Sequence, residues 1–210
     1  MARGKLITFE GIDGSGKTTQ IEFLAGYLRS LGLPLLLLRE PGGTRIGEEI
    51  RRLLLDMRFE RMTPETELFL FEAARAQLVR EVIRPALEEG TWVISDRFHD
   101  SSVAYQGYGR GLPVDLVEAL NNLAMGGTAP DLTILLELGP QARASRLGKR
   151  HGSGLRDRID VEDDLFKERV CQGFRAIAKA EPQRFICVES LDQKEKTAEL
   201  IREQVRRKLL

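Results

Sequence analysis

The stretch G-I-D-G-S-G-K-T, from Gly11 to Thr18, decides the fold of this chain. It directly follows the apolar run K-L-I-T-F-E (Lys5 to Glu10), and apolar residues at helical spacing follow it from Ile21 to Leu31. The pattern fits G-x-x-x-x-G-K-[S/T] without a mismatch, at the point where a strand ends and a helix begins. The sequence therefore predicts a strand, a phosphate-binding loop and a helix, in that order.

The residue types in this loop suit the binding of a nucleoside triphosphate. Gly11, Gly14 and Gly16 allow the backbone to curl so that several N–H groups point at one phosphate oxygen. Lys17 is expected to reach the β- and γ-phosphates, and the Thr18 hydroxyl to ligate Mg²⁺. A purely structural glycine turn is the alternative. The predicted ATP-binding residues here are Gly11, Ile12, Asp13, Gly14, Ser15, Gly16, Lys17, Thr18 and Thr19.

Four further apolar runs predict the rest of a sheet. They alternate with amphipathic helical patterns, as is typical of parallel strands covered on both faces. The runs are Leu35 to Arg39, Trp92 to Asp96, Leu132 to Leu138 and Arg184 to Glu189. We predict an α/β fold of the P-loop containing nucleoside triphosphate hydrolase type, with helices on both faces of a five-stranded parallel sheet. We expect one domain over residues 1–210, with a short mobile lid at about residues 148–160.

A long helix is predicted between the second and third of these strands. Thr63 suits its N-cap and Pro64 its first position. The pattern runs on towards Glu89, and Pro85 is expected to kink the helix because proline lacks an N–H group.

Charge and cysteine content exclude several function classes. The 32 Lys and Arg residues balance 32 Asp and Glu residues, so no global field attracts the chain to nucleic acid or to an anionic membrane. The apolar run from Leu31 to Leu38 is far shorter than the roughly 20 residues that span a bilayer. The two cysteines form no CxxC motif. We therefore expect a reduced, cytoplasmic protein with no nucleic-acid or membrane partner.

A second metal-binding group is expected at the end of a neighbouring strand. The strand V-I-S-D ends at Asp96, which would hold Mg²⁺ directly or through water. A cap of the next helix is the alternative role for this carboxylate. A GTPase is disfavoured because the chain contains no N-K-x-D guanine-reading tetrapeptide.

The segment from Arg143 to Arg158 is strongly basic, with six Lys or Arg residues and one Asp. In a chain that carries a phosphate-binding loop, this pattern predicts an arm that folds over a triphosphate. Arginine groups that stabilise a transferring phosphoryl group can contribute about 10³ to 10⁵ in rate. A solvated basic loop is the alternative.

Five segments together resemble the bacterial thymidylate kinases, which belong to the nucleoside monophosphate kinase group. They are F-E-G-I-D-G-S-G-K-T-T-Q (Phe9 to Gln20), R-E-P-G-G-T (Arg39 to Thr44), L-F-L-F-E-A-A-R (Leu68 to Arg75), S-D-R-F-H-D-S-S-V-A-Y-Q-G-Y-G-R-G-L (Ser95 to Leu112) and D-R-I-D (Asp157 to Asp160). The resemblance covers nearly the whole chain. It implies an enzyme of dTTP biosynthesis that moves the γ-phosphoryl group of Mg-ATP onto dTMP, giving dTDP and ADP. It also implies a homodimer.

The resemblance further implies roles for residues of the acceptor site. Asp13 would contact the deoxyribose 3′-hydroxyl and the metal shell, and Arg97 would lie between the donor and acceptor phosphates. Phe71 would stack on thymine, and Arg75 would donate to a thymine carbonyl. The other implied acceptor residues are Glu40 and Pro41 at the floor, Ser102 and Gln106 at the base edge, and Tyr105 at the sugar 2′ position.

On the donor side, Arg146 resembles the arginine that lies against adenine. Some thymidylate kinases carry their catalytic arginine in the phosphate-binding loop, after the Asp, and others carry it in the lid. Here that loop position is Gly14. The resemblance therefore makes Arg150, Arg156 and Arg158 the candidates, with Arg158 of D-R-I-D first.

Two other functions remain open from the sequence. The same fold could serve another acceptor, such as a different nucleotide or a deoxynucleoside. A P-loop regulator that binds ATP without any acceptor is the alternative from a different class, although it would not need the segment D-R-F-H-D-S-S.

Replacing Lys17 with alanine tests the phosphate-binding loop. Because the ammonium group neutralises charge on the β/γ oxygens as the bond breaks, Lys17→Ala is expected to lower kcat at least about 10²-fold. Steady-state kinetics measure the effect, and circular dichroism checks that the variant is folded. An unaltered kcat in a folded Lys17→Ala protein would show that the loop interpretation is wrong.

Overall fold

A computed structural model describes residues 3–139, 157–159 and 161–210 of the chain. Its five strands are β1 (Leu6–Glu10), β2 (Leu35–Arg39), β3 (Trp92–Asp96), β4 (Leu132–Leu138) and β5 (Phe185–Ser190). All pair in parallel, in the order β2-β3-β1-β4-β5. The predicted five-stranded parallel sheet is confirmed, with β5 placed one residue later than expected.

The helices between the strands follow their sequence patterns. They are α1 (Lys17–Ser30), α2 (Arg45–Leu55), α3 (Pro64–Leu78), α4 (Arg84–Glu88), α5 (His99–Ser102), α6 (Val114–Met125), α7 (Asp164–Ala180) and α8 (Lys194–Leu209). The Thr63 side chain caps α3 by accepting from the N–H of Thr66 at 3.3 Å, as predicted. Among the described helices, none is long and apolar enough to cross a membrane.

Helices cover both faces of the sheet, as the continuous apolar strands predict. On β1, Ile7 and Phe9 lie in one buried cluster with residues of α1 and α8. Leu6 points the opposite way and packs with Leu78 of α3 and Met125 of α6. Every side chain of β1 is buried, including the polar side chains of Thr8 and Glu10.

The long helix that was predicted from Thr63 towards Glu89 is interrupted before Pro85. A π-helical turn over Val79–Ile83 separates α3 from α4. Proline at position 85 has no N–H to donate, and in a regular α-helix its ring would clash with the carbonyl four residues earlier. The wider π-helical turn accommodates the proline by relieving this clash.

The strand register places the loops that follow β1, β2 and β3 together at the carboxyl end of the sheet. Asp96 of β3 lies opposite Phe9 of β1 and opposite Arg39 of β2. The chain therefore leaves β1, β2 and β3 side by side at their carboxyl ends. Ligands of open α/β sheets bind at such an edge, where neighbouring strands connect in opposite directions.

Candidate active site

A cleft of about 420 Å³ opens at this edge of the sheet. The predicted site residues that line it are Asp13, Gly14, Gly16, Lys17, Thr18, Thr19, Glu40, Pro41, Phe71, Asp96, Arg97, Ser102, Tyr105 and Gln106. Lining residues that the sequence analysis did not single out are Arg39, Arg51, Leu55, Ser101, Asp157 and Ile159. Most of the predicted donor and acceptor residues thus share one cavity, whereas Gly11, Ile12, Ser15 and Arg75 do not line it.

The phosphate-binding loop requires its glycines for two reasons. Gly11, Gly14 and Gly16 all have positive φ, at +129°, +81° and +96°. At Gly11, a Cβ atom would also lie 2.3 Å from the carbonyl oxygen of Leu136 on β4. The loop therefore takes a shape that side chains would oppose, and α1 begins directly after it.

Lys17 holds its ammonium group against the loop itself. The side chain is 6% exposed, and Nζ donates to the carbonyls of Gly11 at 3.0 Å and Ile12 at 3.2 Å. Burial and the charge of Arg97 lower the pKa of Lys17 to about 8, although the carboxylates of Asp13, Asp96 and Glu10 oppose the shift. Lys17 is therefore mostly charged at neutral pH and loses its proton readily above it.

Arg97 links the loop to the segment that follows β3. Its Nη2 donates to Asp13 at 2.9 Å and its Nη1 to the Gly11 carbonyl at 3.1 Å, while the guanidinium lies 5.1 Å from the Tyr105 ring centroid. With φ at +71°, Arg97 is the one described non-glycine residue in the left-handed region. Such a backbone costs about 1 to 3 kcal/mol and persists where its surroundings fix it.

Glu10 is one of the residues that fix this turn, and the sequence analysis missed it. Its buried carboxylate accepts from the N–H of Phe98 at 2.8 Å and from the Ser101 hydroxyl at 2.6 Å. Burial and the charge of Asp100 raise the pKa of Glu10 to about 8. A glutamate at the last position of a buried apolar strand is unusual, and this signal in the sequence could have identified Glu10 as a candidate.

Arg75 does not line the cleft. Its guanidinium is buried and donates to Glu40 at 2.9 Å, Glu72 at 2.6 Å and Ser102 at 2.9 Å. It also donates to Asn121 and to the carbonyl of Phe98. Arg75 therefore joins the end of β2 to α3, α5 and α6, and its contact with a thymine carbonyl stays a prediction.

Two further arginines, Arg39 and Arg51, line the same cleft. Arg39 donates to Glu48 at 3.2 Å, and Arg51 donates to the Pro41 carbonyl at 2.9 Å. Burial and the neighbouring charge of Arg39 lower the pKa of Arg51. Together with Lys17 and Arg97, these side chains place four cationic groups around one cavity, which suits a ligand with several phosphates.

The predicted magnesium ligands Thr18 and Asp96 both line the cleft. One oxygen of Asp96, Oδ1, is buried and has no hydrogen-bond partner among the described residues. These residues hold no cluster of three or more His, Cys, Asp or Glu side chains that could bind a metal alone. Mg²⁺ suits this site, because it commonly binds through one or two protein oxygens, phosphates and water.

Of the four arginines that were predicted to act on the donor side, the structure describes only Arg158. Arg146, Arg150 and Arg156 lie outside the described residues. Arg158 is described, and it does not line the cleft, because its buried guanidinium lies 2.6 Å from a carboxylate oxygen of Glu67. Its neighbours Asp157 and Ile159 do line the cleft.

Comparison with known proteins agrees with this geometry. A family profile described as "Thymidylate kinase" matches residues 9–201. The chain belongs to the thymidylate kinase family. The resemblance carried by the five segments is thereby confirmed, whereas the position of the family's catalytic arginine in this chain stays a prediction.

Individual thymidylate kinases match most of the chain. That of Dehalococcoides mccartyi is 50% identical over 192 residues, covering 91% of each chain. That of Desulfovibrio desulfuricans is 49% identical over 188 residues, covering 88% of this chain and 87% of the relative. The crystal structure of thymidylate kinase from Ehrlichia chaffeensis superposes with a TM-score of 0.78 at 33% identity, covering 97% of this chain and 99% of the other. The predicted P-loop fold is confirmed.

The reduced pKa of Lys17 predicts an alkaline limb in the activity. Since the charged form binds phosphate, kcat/KM for ATP is expected to be level at lower pH and to fall as pH rises through about 8. At saturating ATP the limb in kcat should move to higher pH, because bound phosphates favour the charged lysine.

A Lys17→Arg variant is the matched control for this measurement. Arginine keeps its charge throughout the range, so the remaining activity should show no limb near pH 8. The same limb in wild type and Lys17→Arg would assign the titration to another group, such as Glu10.

Proposed function

We infer that this protein is a phosphotransferase that moves the γ-phosphoryl group of ATP onto dTMP, giving dTDP and ADP. The observation that carries this inference is that residues of the phosphate-binding loop and the proposed acceptor residues line one cleft, in a chain of the thymidylate kinase family. Lys17 and Asp13 lie at one end, and Phe71 and Gln106 line the same cavity.

The nucleophile is the acceptor phosphate itself, which is mostly dianionic near neutral pH. No side chain has to remove a proton from it. The protein contributes alignment, neutralisation of charge and exclusion of water, which supply most of the rate in phosphoryl transfer. Arg97 suits the position between the two substrates, since it contacts Asp13 of the loop and Tyr105 of the acceptor segment.

On the donor side, the backbone N–H groups of the loop and Lys17 would hold the β- and γ-phosphates. Thr18 and Asp96 would hold Mg²⁺, Asp96 directly or through water. When bound, this ion neutralises charge on the β- and γ-oxygens. The free Oδ1 of Asp96 among the described residues supports this assignment.

On the acceptor side, the ring of Phe71 offers a stacking surface for thymine. Ser102, Tyr105 and Gln106 line the same cavity. Ser102 and Gln106 would offer polar groups to the base edge, and Tyr105 would lie at the sugar 2′ position. Arg39 and Arg51, which line the same cleft, would bind the acceptor phosphate. Glu40 and Pro41 would form the floor of the acceptor site.

We also propose the remaining features that the sequence suggests. The chain would act as one cytoplasmic domain, with a lid at about residues 148–160. Arg146, which precedes the lid, would lie against adenine. Within the lid, Arg150 and Arg156 are proposed to approach the transferring phosphoryl group.

A panel of acceptors tests the substrate. The thymine methyl is one buried methyl group, so dUMP should be about 10-fold poorer than dTMP in kcat/KM. UMP should be far poorer than dUMP, because its 2′-hydroxyl would meet the Tyr105 ring. Tyr105→Ala should narrow the gap between UMP and dUMP, whereas Tyr105→Phe, which keeps the ring, should preserve it. If UMP or dCMP outperforms dTMP on wild type, the acceptor is a different nucleotide.

A homodimer is supported by an apolar surface shared by α2, α3 and α6. Phe69 is 59% exposed and Leu123 is 71% exposed, although both are large and apolar. Further exposed apolar residues on these helices are Ile46, Leu53 and Leu116. These helices pack side by side, and exposed apolar surface of this kind marks interaction sites.

Phe69→Glu tests this interface. A charge at the centre of an apolar contact is costly to bury, so the variant should sediment as a monomer where wild type sediments as a dimer. Leu165→Glu, at an exposed apolar position on α7, is the control and should leave the dimer intact. Analytical ultracentrifugation distinguishes the two, and a dimeric Phe69→Glu protein would place the interface elsewhere.

A further inference from the structure

A buried ion-pair cluster lies beneath the cleft, in the first turn of α3. The Glu67 side chain is 1% exposed, and its carboxylate lies between two guanidinium groups. Arg158 Nη2 lies 2.6 Å from Oε2, and Arg110 Nη2 lies 3.0 Å from the same oxygen. Oε1 accepts from the Gln106 amide at 2.7 Å. One carboxylate therefore joins α3 to two other parts of the chain, the segment from Gln106 to Arg110 and the segment that carries Arg158.

The cluster is balanced in charge. Arg110 also donates to Glu162, so two carboxylates face two guanidinium groups. Burial by itself raises the pKa of Glu67, but the hydrogen bonds and charge of Arg110, together with Gln106 and Arg158, lower it overall. Glu67 is therefore ionised at neutral pH, and its removal would leave buried positive charge without a partner.

The cluster reaches the cleft from two sides. Gln106, which donates to Glu67, lines the cavity near Phe71. Arg158 lies between Asp157 and Ile159 in the chain, and both of these neighbours line the same cavity. The Glu67 carboxylate thus underlies both the base end of the cleft and the wall at residues 157–159.

Arg158 makes two further hydrogen bonds, both to the end of α2. Its Nε donates to the Leu54 carbonyl at 3.1 Å, and its backbone N–H donates to the Leu55 carbonyl at 3.3 Å. Its side chain is 5% exposed. These bonds fix Arg158 against the end of α2, and its guanidinium faces Glu67 instead of the cavity.

We propose that Glu67 is a positioning residue that fixes both Gln106 and the 157–159 wall, and that Arg158 acts through Glu67 and not by contacting the transferring phosphoryl group. This inference rests on the proposed function. It differs from the sequence-based prediction that Arg158 is the catalytic arginine of the lid.

A double-mutant cycle on Glu67 and Arg158 tests the proposal. Glu67→Gln and Arg158→Gln should each raise KM for dTMP about 10-fold and lower kcat by less, since each releases the wall without removing a group from the substrate. If Arg158 acts through Glu67, the double variant should stay within about 3-fold of the worse single variant. Glu65→Gln, an exposed position on the same helix, is the control and should match wild type.

Two results would overturn the proposal. In one, the losses in the double variant multiply, which would mean that the two residues act independently. In the other, Glu67→Gln leaves KM for dTMP and kcat unchanged, as the control variant Glu65→Gln does.

Arg158→Lys gives a second test that remains usable if Glu67→Gln does not fold. Lysine keeps the charge opposite Glu67, so a positioning role predicts kcat within about 5-fold of wild type. A guanidinium that contacts the phosphoryl group would instead show a loss of about 10² or more in kcat with little change in KM.

The wild-type rate with dTMP tests the proposed function separately. A wild-type protein that prefers another nucleoside monophosphate would contradict the acceptor assignment alone, and the same cycle is then measured with that acceptor. The ratios among the variants decide the role of Glu67 in either case.

Discussion

The parallel pairing of β1 with β3 is the interaction on which the cleft depends. It sets Phe9 opposite Asp96, so the phosphate-binding loop and the turn that carries Arg97 leave the sheet together. The Arg97 N–H donates to the Phe9 carbonyl at 2.9 Å, and Glu10 caps the turn beyond it. A shift of one residue in this pairing would exchange the two faces of β1 and separate these groups. The site is thus an outcome of strand register.

The sequence predicts the sheet and the loop well because both depend on local patterns. Strands buried on both faces read as continuous apolar runs, and four of the five were placed with the correct last residue. The glycines of the loop meet a local backbone requirement that other residues resist. The π-helical turn before Pro85 depends instead on how one hydrogen-bond ladder adjusts to a missing donor, which residue patterns do not specify.

Charged side chains are harder to assign, because their roles follow from partners distant in sequence. Arg51 and Arg52 are adjacent in one helix, yet only Arg51 lines the cleft. Glu67 and Arg158 are 91 positions apart and meet in one buried cluster. The basic segment indicates arginines near a phosphate, but it does not indicate which of them turns inward. Side-chain direction is decided by tertiary packing.

The four cationic groups that line the cleft also link ligand concentration to the stability of the folded protein. Arg97 lowers the pKa of Lys17, and Arg39 lowers that of Arg51, so folding brings like charges close together. A nucleotide with several phosphates that binds only the folded state relieves this repulsion. At free concentration [L] and dissociation constant Kd, it adds RT ln(1 + [L]/Kd) to the free energy of unfolding. The cell's nucleotide supply would then set how long each molecule escapes unfolding and proteolysis, so a chain whose substrates are scarce would be degraded sooner.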